Sequence, residues 1–264
     1  MNRGLAALVS GMMSGQRIMD VITNNLANVN TVGFRRQECV STDFSVFMQN
    51  AEMSLSPEAD EALKLANHIS NRSQDGITTS ATVVLDNGPH QHTGNALDLA
   101  IEGPGFFTVQ TPDGLMYTRN GRFSLNQDGY ICTPEGYQLL GDSGPIQYEN
   151  TEKDFKPTEL KVDKEGNIFD GSQNIGTLRI AQVDDPSKIQ YAGNSYFVSA
   201  DGTELPDLAG GTTIHQGFVE LSNVSVITEM ARLIEVQRTF ETYQKIYQEQ
   251  EQLESKLIDQ VTKA

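Results

Sequence analysis

The sequence predicts an α+β protein: long N- and C-terminal helices pair in a coiled-coil-like manner around a central, mainly antiparallel β domain. Three observations carry this. Residues 1–40 and 222–264 each hold an apolar stripe at helical spacing. Residues 76–221 are dense in short apolar runs separated by Gly-bearing turns, and no βαβ alternation interrupts them. The 23 glycines among 264 residues and an apolar fraction of 38% suit turn-rich β structure.

At the start, Leu5, Leu8, Met12, Gly15, Met19, Ile22, Leu26 and Val29 recur at alternating spacings of three and four. That is a heptad seam, roughly 40 Å long if helical. Asn24, Asn25, Asn28 and Asn30 fall off it, although Asn competes for nearby backbone groups and is a mediocre helix former. Gly33 then offers a left-handed stop. Residues 41–75 form the linker, expected to be irregular with one helical stretch entered through Pro57.

From 76 to 221, "GFFTVQ" (105–110), "GTLRIAQV" (176–183) and "SYFVSA" (195–200) read as strands. Asn120-Gly121 in "MYTRNGRFSL" is a strong short hairpin signal. "NQDGY", "TPEGY", "DKEGN" and "SADGT" are further turns. At the end, Ser222 or Ser225 can cap a helix with Glu229 in its early turns, where the dipole favours an anion. Its stripe is Val226, Met230, Leu233, Val236, Phe240, Tyr243 and Tyr247, continued less regularly by Leu253, Leu257 and Val261.

The net charge of −16 is concentrated in the middle of the chain. Residues 1–40 hold four basic and two acidic groups, and residues 222–264 hold five and seven. That leaves ten basic against 26 acidic groups between them, a surface that repels phosphate backbones and argues against nucleic acid as a partner. Cys39 and Cys132 lie too far apart in sequence for a CxxC or zinc-type pattern. Ser10, Gly11, Ser14, Gly15 and Gln16 break the apolar run that a cleavable signal peptide needs. No stretch approaches the roughly 20 apolar residues of a membrane span, so no membrane insertion is expected.

Chemistry finds only fragments. His90 and His92 on a strand would share one face, which a metal could use, but "NGPHQHTGN" has no adjacent thiol or carboxylate. "EGPGFF" (102–107) lacks the Gly-Lys-Ser/Thr ending of a phosphate loop and precedes a strand. The reading is therefore no catalytic residue, no cofactor and no metal. Terminal heptads have a different use: a two-helix hairpin alone buries little surface, so more copies are needed, as in an assembly subunit. The expected assembly interface comprises the two stripes.

These residues also resemble a known family, the axial proteins of the bacterial flagellum, specifically basal-body rod proteins. "NNLANVNTVGFRR" (24–36), "ALDLAIEGPGFFTVQTPDGLMYTRNGRFSLNQDGYI" (96–131) and "GFVELSNVSVITEMARLIEVQRTFETYQKI" (217–246) look like its N-terminal, central and C-terminal motifs. "GDSGPIQ" (141–147) and "RTFETYQK" (238–245) are more similar to proximal rod members, whereas the length of residues 41–75 is more similar to distal ones. The resemblance implies a terminal-helix tube, called D0, around a central channel, and an outer β domain. It implies export through the flagellar type III apparatus without cleavage, and polymerisation with itself and neighbouring rod proteins into a periplasmic drive shaft. In such a tube Asn24, Asn25, Asn28 and Asn30 would be inter-subunit contacts, and Gly33 the turn into the outer domain. Outside the family, the alternatives are a tail-tube or adhesin-like β protein and a metal-dependent enzyme.

Overall fold

The computed structural model describes residues 3–43, 77–148, 160–171, 173–183, 185–207 and 210–262. It is α+β, with one long helix near each end. α1 spans Arg3–Ala27 and α2 spans Val226–Thr262. α1 stops before Val29, the last position of its seam. Asn28 and Val29 donate instead to the carbonyls of Asn25 and Leu26, three residues back, in the tightened turns that end helices. Most of the expected linker lies outside the described residues.

The chain divides into two compact units. One comprises Met1–Asn24, Glu38–Ala81 and Val226–Ala264; its described elements are α1, the pair β1 (Gln37–Asp43) and β2 (Ile77–Val83), and α2. The other comprises Asn25–Gln37 and Thr82–Ser225 and is the β unit. Every strand pairing registered within it is antiparallel.

Its main sheet is built on β5 (Phe106–Thr111) and β6 (Gly114–Thr118), a hairpin closed at Thr111–Gly114. β6 is flanked by β16 (Tyr196–Ser199) and then β15 (Ile189–Gly193). On the other side of β5 come β9 (Gln138–Gly141), β8 (Ile131–Cys132) and β7 (Ser124–Leu125). β10 (Gly144–Pro145) pairs with β9, and β14 (Ile180–Ala181) with β5. A second sheet holds β11 (Leu160–Val162), β12 (Asn167–Asp170) and β13 (Gln173–Thr177). Two ribbons complete the unit: β17 (Thr213–Gln216) on β4 (Leu99–Glu102), and β18 (Phe218–Glu220) on β3 (His90–His92).

β5 is buried at every position but Gln110 because both faces of its sheet are covered. Successive side chains point to opposite faces. Phe107 and Val109 enter a core with Leu99, Ile131, Leu139 and Tyr196, while Phe106 enters another with Tyr117, Phe197 and Ile189. Edge-to-face ring pairs, Phe107–Phe123 at 5.2 Å and Phe106–Phe197 at 5.4 Å, fill the two sides.

All four Gly-bearing turns form as expected, with Gly129, Gly136, Gly166 and Gly202 at φ between +67° and +93°. Asn120-Gly121 is different. It does not close a hairpin: Leu99 N–H donates to Gly121 O at 2.9 Å, and Phe123 N–H donates to Leu97 O at 3.3 Å, so residues 121–123 cross to the β4 strand. A Cβ at Gly121 would lie 1.6 Å from Leu99 O, so close approach requires this glycine rather than a left-handed turn. The expected strand 176–183 is interrupted between β13 and β14. There Leu178 N–H donates to Gly166 O and Arg179 N–H to Leu140 O, shifting the chain from one sheet to the other.

Candidate functional site

On α1, Ile22 is buried, Met12, Met19 and Leu26 are half-buried, and Val29 sits half-buried in the turn beyond the helix. On α2, Val226, Leu233, Val236, Phe240 and Tyr243 are half-buried, whereas Met230 and Tyr247 are exposed. The two helices touch where α1 has no side chain in the way. A Cβ at Gly11 would lie 3.2 Å from the Tyr243 ring, and one at Gly15 would lie 3.7 Å from the Phe240 ring. Positions rise along α1 as they fall along α2, so the helices run antiparallel there.

Much apolar surface stays open on this unit. Val9, Met13, Ile227, Met230, Ile234 and Ile246 are all exposed, Ile227 by 83%. A groove of about 270 Å³ between the helices is lined by Val9, Met12, Met13, Gln16, Phe240 and Tyr247. Arg232 reaches Glu38 at 3.1 Å at the other end of α2, beside the buried Glu229 of the first helical turn.

Of the four asparagines, Asn25 is 1% exposed and turns inward. Its carboxamide accepts from Gln37 N–H at 2.9 Å and donates to Gln37 O at 2.8 Å, taking the place of a neighbouring strand's backbone. Asn28 accepts from the Thr31 hydroxyl at 3.2 Å, while Asn24 and Asn30 are exposed. Gly33 has φ +69° and donates its N–H to Glu220 O at 2.8 Å. A Cβ there would meet Asn120 N at 2.2 Å, so both conformation and packing exclude a side chain.

Beneath this turn lies a buried ion triad. Glu220 Oε1 pairs with Arg35 Nη1 at 2.6 Å, and Glu220 Oε2 pairs with Arg119 Nη1 at 3.0 Å. Gly88 N–H also donates to Oε1 at 2.7 Å. The guanidiniums are satisfied further by backbone: Arg35 donates to Asp86 O, and Arg119 donates to Ile101 O and Gly103 O. Burial pushes the Arg119 guanidinium down to about 10, with the Arg35 charge adding to the effect, which still leaves it protonated at neutral pH. The expected interface did not include these three residues. Each lies in a motif singled out by sequence, but nothing local marks it as buried.

His90 and His92 do lie on a strand. The His92 ring packs edge-on against Phe218, and the His90 ring lies 6.2 Å from that of His215, which bonds Glu102 Oε2 at 2.6 Å. That bond, together with the Thr213 hydroxyl, holds the Glu102 carboxyl below its usual range. Among the described residues no group of three His, Cys, Asp or Glu side chains could hold a metal ion.

Comparison with known proteins matches three family models. Residues 5–35 match one described as flagella basal body rod protein. Residues 100–170 match the flagellar hook protein FlgE/F/G D1 domain, and residues 215–260 the C-terminal part of flagellar basal body rod FlgEFG proteins. Each matched segment supplies one member of the buried triad: Arg35, Arg119 and Glu220. The chain is 30% identical to the flagellar basal-body rod protein FlgF of Caulobacter vibrioides, over 100% of this chain and 99% of that protein. It is 33% identical to FlgG of Bacillus subtilis, covering 98% and 99%, and 32% identical to FlgF of Mesorhizobium japonicum, covering 91% and 90%.

Proposed function

We propose a proximal-rod position for this chain, which belongs to the flagellar basal-body rod protein family and is a structural subunit of that rod. The observation that carries an assembly role is the apolar surface left open on α1 and α2. Ile227, Met230, Ile234, Val9 and Met13 are exposed on these two helices. Exposed apolar stripes of this kind mark surfaces that become buried on association.

In this reading the heptads of α1 and α2 pair in a coiled-coil-like D0 layer, and copies pack around a central channel. Leu5, Leu8, Met12, Met19, Ile22, Leu26, Val226, Met230, Leu233, Val236, Phe240, Tyr243 and Tyr247 contribute the apolar contacts. Asn24, Asn28 and Asn30 contribute uncharged hydrogen bonds between subunits, whereas Asn25 shapes the turn within its own chain. The subunit leaves the cytoplasm through the flagellar type III apparatus, assembles in the periplasm with neighbouring rod proteins, and transmits motor torque. Many repeated helix contacts supply the stiffness this needs.

The proximal assignment is supported by "GDSGPIQ" (141–147) and "RTFETYQK" (238–245). A distal position is the second reading, favoured by the length of residues 41–75. Electron cryomicroscopy of basal bodies from cells lacking this chain separates them. A rod missing from its inner portion supports the proximal position, and a remaining proximal stub supports the distal one.

A further inference from the structure

α2 carries apolar side chains on two opposite faces. At 3.6 residues per turn, Phe240, Tyr243 and Tyr247 lie on the side that meets α1, and Ile227, Met230 and Ile234 lie roughly half a turn around the helix. The second set is 83%, 48% and 53% exposed. The groove on the α1 side is open as well. Its described lining is Val9, Met12, Met13, Gln16, Phe240 and Tyr247, among which the polar side-chain groups are the Gln16 amide and the Tyr247 hydroxyl.

Groove and stripe also match in length. The groove runs from Val9 to Gln16 on α1 and from Phe240 to Tyr247 on α2, seven residues of rise or roughly 10 Å on each. From Ile227 to Ile234 is the same rise. We propose that the groove of one copy receives the Ile227–Met230–Ile234 stripe of the next copy, with the two α2 helices parallel. The proposal rests on the rod-subunit reading and names the contact by which copies add.

The geometry has a consequence for the assembly. Groove and stripe are different surfaces, so the contact is heterologous and cannot close a pair. Along α2 the stripe precedes the groove by thirteen residues, from 227 to 240 and from 234 to 247. Docking the one into the other therefore displaces neighbours by about 20 Å along the helix. With that displacement, copies climb as a helix instead of closing as a flat ring. In the parallel arrangement Ile234 of the incoming copy sits level with Val9 and Tyr247, and Ile227 level with Gln16 and Phe240.

Cysteine pairs test this in basal bodies isolated from cells expressing the full chain, with Cys39→Ser and Cys132→Ala as background. Val9→Cys with Ile234→Cys is expected to give an oxidant-dependent ladder of dimers, trimers and larger species, and each single variant none. A ladder from Val9→Cys with Ile227→Cys instead would overturn the parallel arrangement. A dimer only, or crosslinks to a different rod protein only, would overturn the self-contact. Ile234→Glu should fold as wild type by circular dichroism, because the side chain is exposed, yet be incorporated at least tenfold less; undiminished incorporation overturns the proposal. Variants incorporated without any ladder also sink this contact while leaving the rod reading intact. Absence of the wild-type chain from basal bodies would sink that reading itself.

Discussion

Glu220 pairs with Arg35 at 2.6 Å across 185 residues of sequence, and both side chains are wholly excluded from solvent. Arg35 follows the turn that leaves α1, and Glu220 ends the last strand before α2. The stretches leading to both helices are thus fastened to each other inside the β unit, with Arg119 closing the triad from the main sheet's side. Removing one partner of a buried ion pair leaves a charge without compensation. Glu220→Gln would leave two such guanidiniums and is expected to cost about 3–5 kcal/mol. Urea denaturation followed by circular dichroism measures it, and a loss below about 1 kcal/mol would contradict the role given to the triad.

Asn25 and Asn24 are adjacent but should behave differently. Asn25→Ala removes both bonds to the half-buried backbone of Gln37 and should cost about 1–3 kcal/mol in the free chain. Asn24→Ala, at an exposed position, should cost the free chain less than Asn25→Ala does. Equal effects of the two on monomer stability would contradict this division.

Gly121→Ala should prevent the β unit from folding, because the methyl would meet the Leu99 carbonyl carbon at 2.7 Å and its oxygen closer still. Gly136→Ala faces open space at φ +93° and should cost only the left-handed conformation, about 1–2 kcal/mol. Soluble yield and thermal melts of the two variants provide the comparison.

Ser195→Gly is expected to stabilise the protein. Asn194 and Ser195 close the β15–β16 hairpin with φ of 50° and 63°, and the buried Ser195 hydroxyl has no hydrogen-bond partner. Relieving the left-handed serine should gain about 1 kcal/mol, seen as a Tm rise of roughly 2–4 °C. A fall in Tm would show that the serine side chain packs usefully.

Acid should act on the Glu102–His215 bond. Because the carboxyl is held below its usual range in the folded chain, its contribution is full above that range and is lost as pH falls from there down through the lowered folded value. Wild type and Glu102→Gln should therefore differ slightly in Tm at pH 6 and converge only once the pH has fallen below the usual carboxylate range. A difference that persists unchanged into acid would rule out this bond as its source.

The turns were legible in the sequence because their requirement is local: Gly129, Gly136, Gly166 and Gly202 each need a backbone only glycine adopts easily. Asn120-Gly121 misled for the converse reason, since its glycine answers to Leu99, 22 residues away. The Asn194-Ser195 hairpin escaped notice because it carries no glycine in its turn. Nothing near Asn25 in sequence points to Gln37 as its partner, and the Arg35–Glu220–Arg119 triad joins three distant segments that look like ordinary surface charges. One periodicity was legible on α2, whereas the exposure of Ile227, Met230 and Ile234 shows a second apolar face there.

The most direct test of the rod-subunit account is a side-chain-resolution electron cryomicroscopy map of wild-type basal bodies. The account predicts density for this chain in the proximal rod, with α1 and α2 in the innermost layer around the channel and the β unit outside it. Basal bodies in which no rod density fits this sequence would contradict it.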